Sequence, residues 1–256
     1  MTLLAVERIK LFTTRSPWWC ALITLVVTIG FAALVTGTTE NIEFVTVGSA
    51  EFGYSFGLAV VMVLAALAVT TEYRFGTIRT TFQAVPHRGS ALLAKTVVVA
   101  LLALVIGEIA GFGSWGIANL LQPEADLALN TTAKWINVAG IGPVFALAAV
   151  VAVAVGILIR HSAGAISLLL IYNLAVEGLV PLIPSIGDDI HQWMPFNVAH
   201  KFVAGDGSSN GAMGGEAAGP PLSSSTLSPG WALAYFAGFA VIMLAIAIST
   251  AKKRDA

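Results

Sequence analysis

Six apolar runs, each near the roughly 20 residues a helix needs to cross a bilayer, limit what this chain can fold into. They fall at about residues 17–36, 54–71, 95–119, 136–159, 163–183 and 231–250. Strands of a membrane barrel are about half that length, so the expected spans are helical. Of the 256 residues, 57% are hydrophobic and only 11% charged, against about 25% charged in a soluble domain. The expectation is an all-α, polytopic membrane protein with one membrane domain over residues 1–256. Asn173, Glu177 and Pro181 interrupt the fifth run, which is the least regular. Trp18, Trp19, Trp115, Trp135 and Trp231 stand near run ends, where aromatic belts form. No small-residue cleavage site follows the first run, so it reads as a span and not as a signal peptide.

Charge sets the expected orientation. All but Lys134 and Lys201 of the 13 lysines and arginines lie in the N-terminal segment, the second and fourth connections and the C-terminus. Cytoplasmic segments carry such an excess. Both termini and the second connection are therefore expected in the cytoplasm, as an even number of spans requires. Residues 1–15 read as an amphipathic interfacial helix. Its Leu4, Ile9, Leu11 and Phe12 supply apolar surface, and Arg8, Lys10 and Arg15 reach toward anionic lipid headgroups. The first outward connection carries Glu40, Glu43 and Glu51 with no basic residue. The last one, 184–230, is the longest. It opens with Trp193-Met194-Pro195-Phe196-Asn197, suited to short helices, and becomes rich in Gly, Ser and Pro from Ala204 to Pro229. A net charge of −1 gives no sign of a nucleic-acid partner, and the single Cys20 excludes an intrachain disulfide.

The second connection, Thr71 to Lys95, is a charged island. Its Glu72, Arg74 and Arg79 are costly in lipid, about 2.5–3.5 kcal/mol each at a span centre. Phe75, Ile78, Phe82 and Val85 follow helical spacing and form one stripe; Arg74, Thr77, Arg79 and Thr81 lie off it. Gly76 marks a bend or a close backbone contact, and Pro86 ends the run. Glu72 and Arg79 are too far apart to pair on one straight helix, so each is free to meet a different partner, whether another subunit or the N-terminal segment with its Glu7, Arg8 and Lys10.

Glu72-Tyr-Arg-Phe-Gly-Thr-Ile-Arg79, followed by Pro86-His-Arg88 and Lys95, resembles the first cytoplasmic loop of ATP-binding-cassette (ABC) export permeases of the bacterial six-span type-2 class. Glu7-Arg-Ile-Lys10-Leu11 with Arg15-Ser-Pro-Trp18-Trp19 is similar to the connecting helix and first-span entry of the same family, and Met194-Pro-Phe-Asn197 is a weaker third likeness. The motifs cover about a fifth of the chain. The resemblance implies a permease subunit in the bacterial cytoplasmic membrane. It also implies a second permease copy, identical or paired, and separate ATPase subunits that Glu72, Arg74, Phe75, Gly76, Thr77 and Arg79 face through a coupling helix. His87 departs from the usual small or basic residue.

Two acids fall within the apolar runs, Glu108 in the third and Glu177 in the fifth. They either line a translocation path or bond across helices, for instance to Asn173 or Ser114. Gly107 and Gly111 make a small-residue face, expected to pack within one subunit. Enzyme chemistry has little support. There is no His-Glu-x-x-His, Gly-x-Ser-x-Gly or Cys/His metal spacing. Gly113-Ser114-Trp115-Gly116 is only loosely like an intramembrane hydrolase, and Asp188, Asp189 and His191 fit helix capping better than a metal. Asn130-Thr131-Thr132 matches a glycosylation sequon, a common chance pattern. No phosphate-binding Gly-x-x-x-x-Gly-Lys-Ser/Thr loop is present, so no cofactor is expected on this chain and ATP is expected on a partner. The alternatives are a non-transporting sensor or scaffold and, behind it, a membrane-embedded enzyme.

Overall fold

A computed structural model describes residues 2–85, 88–205 and 220–254. Pro86, His87 and much of the Gly- and Ser-rich stretch after Ala204 lie outside the described residues. The described elements are all helical. In chain order they are α1 (Leu3–Thr13), α2 (Ser16–Thr38), a 3-10 turn (Ile42–Phe44), α3 (Val47–Ala50), α4 (Tyr54–Phe75), α5 (Thr77–Ala84), α6 (Arg88–Leu121), α7 (Thr132–Ala139) and α8 (Ile141–Ile159). Then come α9 (Ser162–Ile171), a π-helical segment (Tyr172–Val176), α10 (Glu177–Leu179), a 3-10 turn (Val180–Leu182), α11 (Gly187–His191), α12 (Pro195–Ala204) and α13 (Pro229–Arg254). Six helical segments are long and apolar enough to cross a membrane, in agreement with the six runs.

α8 is the centre of the bundle. Its 19 residues carry no charge, and a helix apolar all round belongs inside. α4, α6 and α13 surround it, α9 lies beside α4 and α8, and α2 packs on α4 and α6. Small residues let the backbones approach. A Cβ on Gly107 of α6 would lie 2.7 Å from the Cα of Gly142 on α8, and one on Gly57 of α4 would lie 3.1 Å from Phe145. Membrane helices have little hydrophobic drive to associate with each other, so such close packing must hold them together. The small-residue face of α6 therefore packs within the subunit. Thr24, Thr28, Thr70 and Thr96 satisfy their hydroxyls on carbonyls one turn back.

Several boundaries differ from the sequence expectation. The third span begins at Arg88, so Lys95 sits inside α6 and is buried. The fourth is divided into α7 and α8, because Pro143 lacks the N–H that would bond back to Ala139. The fifth changes from α to π to 3-10 around the residues that interrupt its apolar pattern. Phe75 does not join the stripe of Ile78 and Phe82. α4 ends at Phe75 with Gly76 left-handed (φ 72°), and Phe75 is 70% exposed while Ile78 is buried. Gly76 is therefore the bend; nothing lies within 4 Å of where its Cβ would stand.

Candidate functional site

α1, α4, α5 and α6 converge at the end of the bundle that holds both chain ends. α1 presents Glu7, Lys10 and Leu11 on one face, and Leu11 anchors that face in the apolar core. Glu72 stands in the last turn of α4, where a carboxylate opposes the helix dipole and calls for a cation. Lys95 reaches them from α6.

The four charges close a ring of alternating sign. Lys95 Nζ lies 2.5 Å from Glu7 Oε2 and 2.8 Å from Glu72 Oε1. Lys10 Nζ lies 2.7 Å from Glu7 Oε1 and 3.4 Å from Glu72 Oε1. Lys10 also donates to Thr81 Oγ1 at 3.0 Å, which brings α5 into the network. Glu7 and Lys95 are almost wholly buried, whereas the Lys10 side chain is 35% exposed. Burial works against the Lys10 ammonium, but hydrogen bonding and charge from Glu7 and Glu72 outweigh it and raise its pKa. A single charge in this position would be expensive; four in alternation neutralise one another.

The ring lines a cavity of about 770 Å³. Thr13, Thr14, Thr71, Thr77, Thr80 and Thr81 give it a hydroxyl lining, with Leu64, Leu67, Val98 and Val99 behind. Basic residues surround the same end. Arg74 stacks on Phe75 at 5.5 Å, Arg88 on Phe82 at 5.8 Å and Arg160 on Tyr73 at 5.1 Å. Arg254 donates to the Leu158 carbonyl.

Of the six residues that the resemblance assigns to coupling, only Glu72 enters the ring. Arg74, Phe75, Gly76, Thr77 and Arg79 are exposed on and before α5. The pairing of Glu72 with Lys10 was among the sequence options. Lys95 as the ring's second cation is not among them, because in the sequence it marks the end of a loop. Thr81 was placed off the apolar stripe, and that is why its hydroxyl can meet Lys10.

The two intramembrane acids do different things. Glu177 is buried, and its two oxygens accept from the backbone N–H groups of Phe196 at 3.0 Å and Asn197 at 2.7 Å. Its partner is neither Asn173 nor Ser114 but the N-terminus of α12, where a carboxylate meets unsatisfied donors. The π-helical segment, Tyr172–Val176, directly precedes Glu177. Asn197 itself ties down the loop through the His191 carbonyl at 2.7 Å and the Ser224 hydroxyl at 3.2 Å. Glu108 is half-buried and lies against Gly142, whose missing side chain makes room for the carboxyl group. Among the described residues no cation pairs with either acid and no cluster suits a metal. Asp188 and Asp189 occupy the first turn of α11, while His191 Nδ1 meets Ser224 Oγ at 2.7 Å. Thr131 of the sequon caps α7 by accepting from the Lys134 N–H.

In comparisons with known proteins, no family model matches this chain, and neither does any curated protein at a significant level.

Proposed function

We propose that this chain is the membrane-spanning permease subunit of an ABC exporter of the six-span type-2 class, in a bacterial cytoplasmic membrane with both termini in the cytoplasm. It works with a second permease copy and with ATPase subunits that bind and hydrolyse ATP; it binds no nucleotide itself. The substrate class is a small molecule, a peptide or a lipid. One observation carries this reading. The Glu7–Lys95–Glu72–Lys10 ring fastens α1 and, through Thr81, the exposed α5 to the starts and ends of two spanning helices. A push on α5 from an ATPase would thus reach α4 and α6 together and not dissipate in a loose loop. α6 passes it on, since its glycine face locks onto α8. Glu108, beside that contact, is the residue we would place on a translocation path. Glu177 is assigned to holding α12.

Purification of the tagged full chain from its own membrane tests this. An ABC ATPase should accompany it, and the complex should hydrolyse ATP. A chain that brings no ATPase, or an ATPase whose hydrolysis never accompanies solute movement in vesicles, would leave a sensor or scaffold role instead.

A further inference from the structure

At the end of the bundle opposite the charge ring, the polar side-chain atoms that lie buried without a hydrogen-bond partner among the described residues include Glu51 Oε1, Tyr54 Oη, Asn137 Oδ1 and His200 Nδ1. Glu51 is 2% exposed, and Tyr54 and Asn137 are 1% exposed. The sequence had placed Glu51 in an open acidic loop; it stands instead in the turn between α3 and α4.

These groups are linked through neighbouring helices. Tyr54 follows Glu51 by a single turn, its N–H donating to the Glu51 carbonyl at 3.0 Å. The Tyr54 ring meets the His200 ring edge-on, with centroids 5.5 Å apart. His200 precedes Val203 by one turn of α12, and the Val203 carbonyl accepts from Asn137 Nδ2. That bond commits the amide of Asn137, so its Oδ1 is directed elsewhere. α3 packs on α7, the helix that bears Asn137.

The chemistry of the set is specific. A carboxylate, a phenol and an amide carbonyl are hard oxygen donors. Among the described residues no lysine or arginine pairs with Glu51. Burial, and then the nearby His191, push the His200 pKa down to about 4, so His200 supplies no positive charge at neutral pH. Other titratable groups on the surrounding helices are Lys134, held by Asp126 at 3.1 Å, Lys201 on α12 and Glu108 on α6, while Glu72, Tyr73 and Arg74 of α4 and Arg88 and Lys95 of α6 lie toward the charge ring. A buried carboxylate needs a counter-charge. One carboxylate suits a monovalent ion, where a divalent ion takes several.

We propose that Glu51, with Tyr54 and Asn137 beside it, forms a buried site for a small monovalent cation, a proton or a sodium ion. The proposal does not depend on the transport reading, since it concerns binding by this chain alone.

Thermal unfolding of the purified full chain in detergent, followed by tryptophan fluorescence, tests it. One arm exchanges choline chloride for sodium chloride at pH 7. The other moves from pH 7 to pH 9 in choline chloride. For a sodium site, Tm rises by several degrees with sodium. For a proton site, Tm falls by several degrees toward pH 9 as the carboxyl loses its proton. Glu51→Gln removes whichever dependence the parent shows. Tyr54→Phe keeps the carboxylate and shifts the midpoint in sodium concentration or pH, which tests the site should Glu51→Gln fail to fold. A parent indifferent to both sodium and pH overturns the proposal. So does an equal dependence in Glu51→Gln, or an unmoved midpoint in Tyr54→Phe.

Discussion

Glu7 and Lys95, separated by 88 residues, meet at 2.5 Å with both side chains nearly out of solvent. Such a contact between the first helix and the third span cannot be a decorative surface pair. Exposed pairs contribute about 0–1 kcal/mol, whereas removal of one partner from a buried pair strands the other charge. Here the stranding would be double, since Lys95 serves both Glu7 and Glu72.

Lys95→Met should therefore destabilise the protein by about 3–5 kcal/mol. Lys10→Ala should cost much less, about 0–1 kcal/mol, because a third of that side chain is already in solvent. Glu7→Gln combined with Lys95→Met should cost less than the two changes summed. Denaturant unfolding in detergent reads all three. Equal losses for Lys95→Met and Lys10→Ala would rule out the inequality of the two cations.

The α6–α8 contact gives a second test. A methyl group at Gly107 would meet backbone, the Cα of Gly142 at 2.7 Å and the Ile141 carbonyl at 3.1 Å. One at Gly142 would meet the side chain of Glu108. Backbone cannot move aside without parting the helices, so Gly107→Ala should cost about 1–3 kcal/mol. Gly142→Ala should be rescued by Glu108→Ala, while Gly107→Ala should not. Thermal stability of the single and paired variants checks this, and rescue of both glycine variants would contradict it.

Span number was legible because about 20 apolar residues in a row leave few other folds. The bend at Gly76 was legible because glycine alone takes φ 72° without strain. What pairs with what was not. Lys95 and Glu51 look like loop residues in the sequence, and only the three-dimensional meeting of Lys95 with Glu7 and Glu72, or the burial of Glu51 in the turn between α3 and α4, gives each its character. For Glu177 the sequence leaves open a translocation path or a bond between spans, with Asn173 or Ser114 as the side chains on offer. Its real donors are backbone N–H groups of a short helix 19 and 20 residues on, which no side-chain pattern announces.

His200 supplies a pH prediction in the acid range. Its folded pKa is lowered to about 4 by burial first and His191 second, against about 6.5 in the unfolded chain. The unfolded state then binds a proton that the folded state refuses. Stability is full above about pH 6.5 and falls as pH drops toward 4. Tm measured from pH 7 to pH 4 should decline, and His200→Gln should flatten the part of the decline between pH 6.5 and 4. An unchanged slope in that variant would show that His200 is not the group responsible.

The segment proposed to couple to an ATPase yields the prediction closest to function. Gly76 holds a left-handed conformation that sets α5 at an angle to α4, and Thr81 fastens α5 to Lys10 at 3.0 Å. Gly76→Leu has open space for its side chain but pays about 1–2 kcal/mol in backbone strain, enough to turn α5 away. Gly76→Asn should be milder, since asparagine visits that region more readily. Thr81→Val removes the link to Lys10 while it keeps the shape of the side chain. Glu72→Ala opens the ring itself, and Arg79→Ala alters only an exposed face of α5. None of these changes lies in the middle of a span, so all should insert. In the purified complex, Glu72→Ala and Gly76→Leu should still bind the ATPase yet lose substrate-stimulated hydrolysis by about tenfold or more, as a loss of roughly 1.4 kcal/mol in coupling would give. Thr81→Val should show a partial loss. Arg79→Ala should instead weaken ATPase association, because its guanidinium is presented outward. Normal stimulation in Glu72→Ala and Gly76→Leu, with the ATPase still bound, would remove the ring and its bend from the path between the ATPase and the spans.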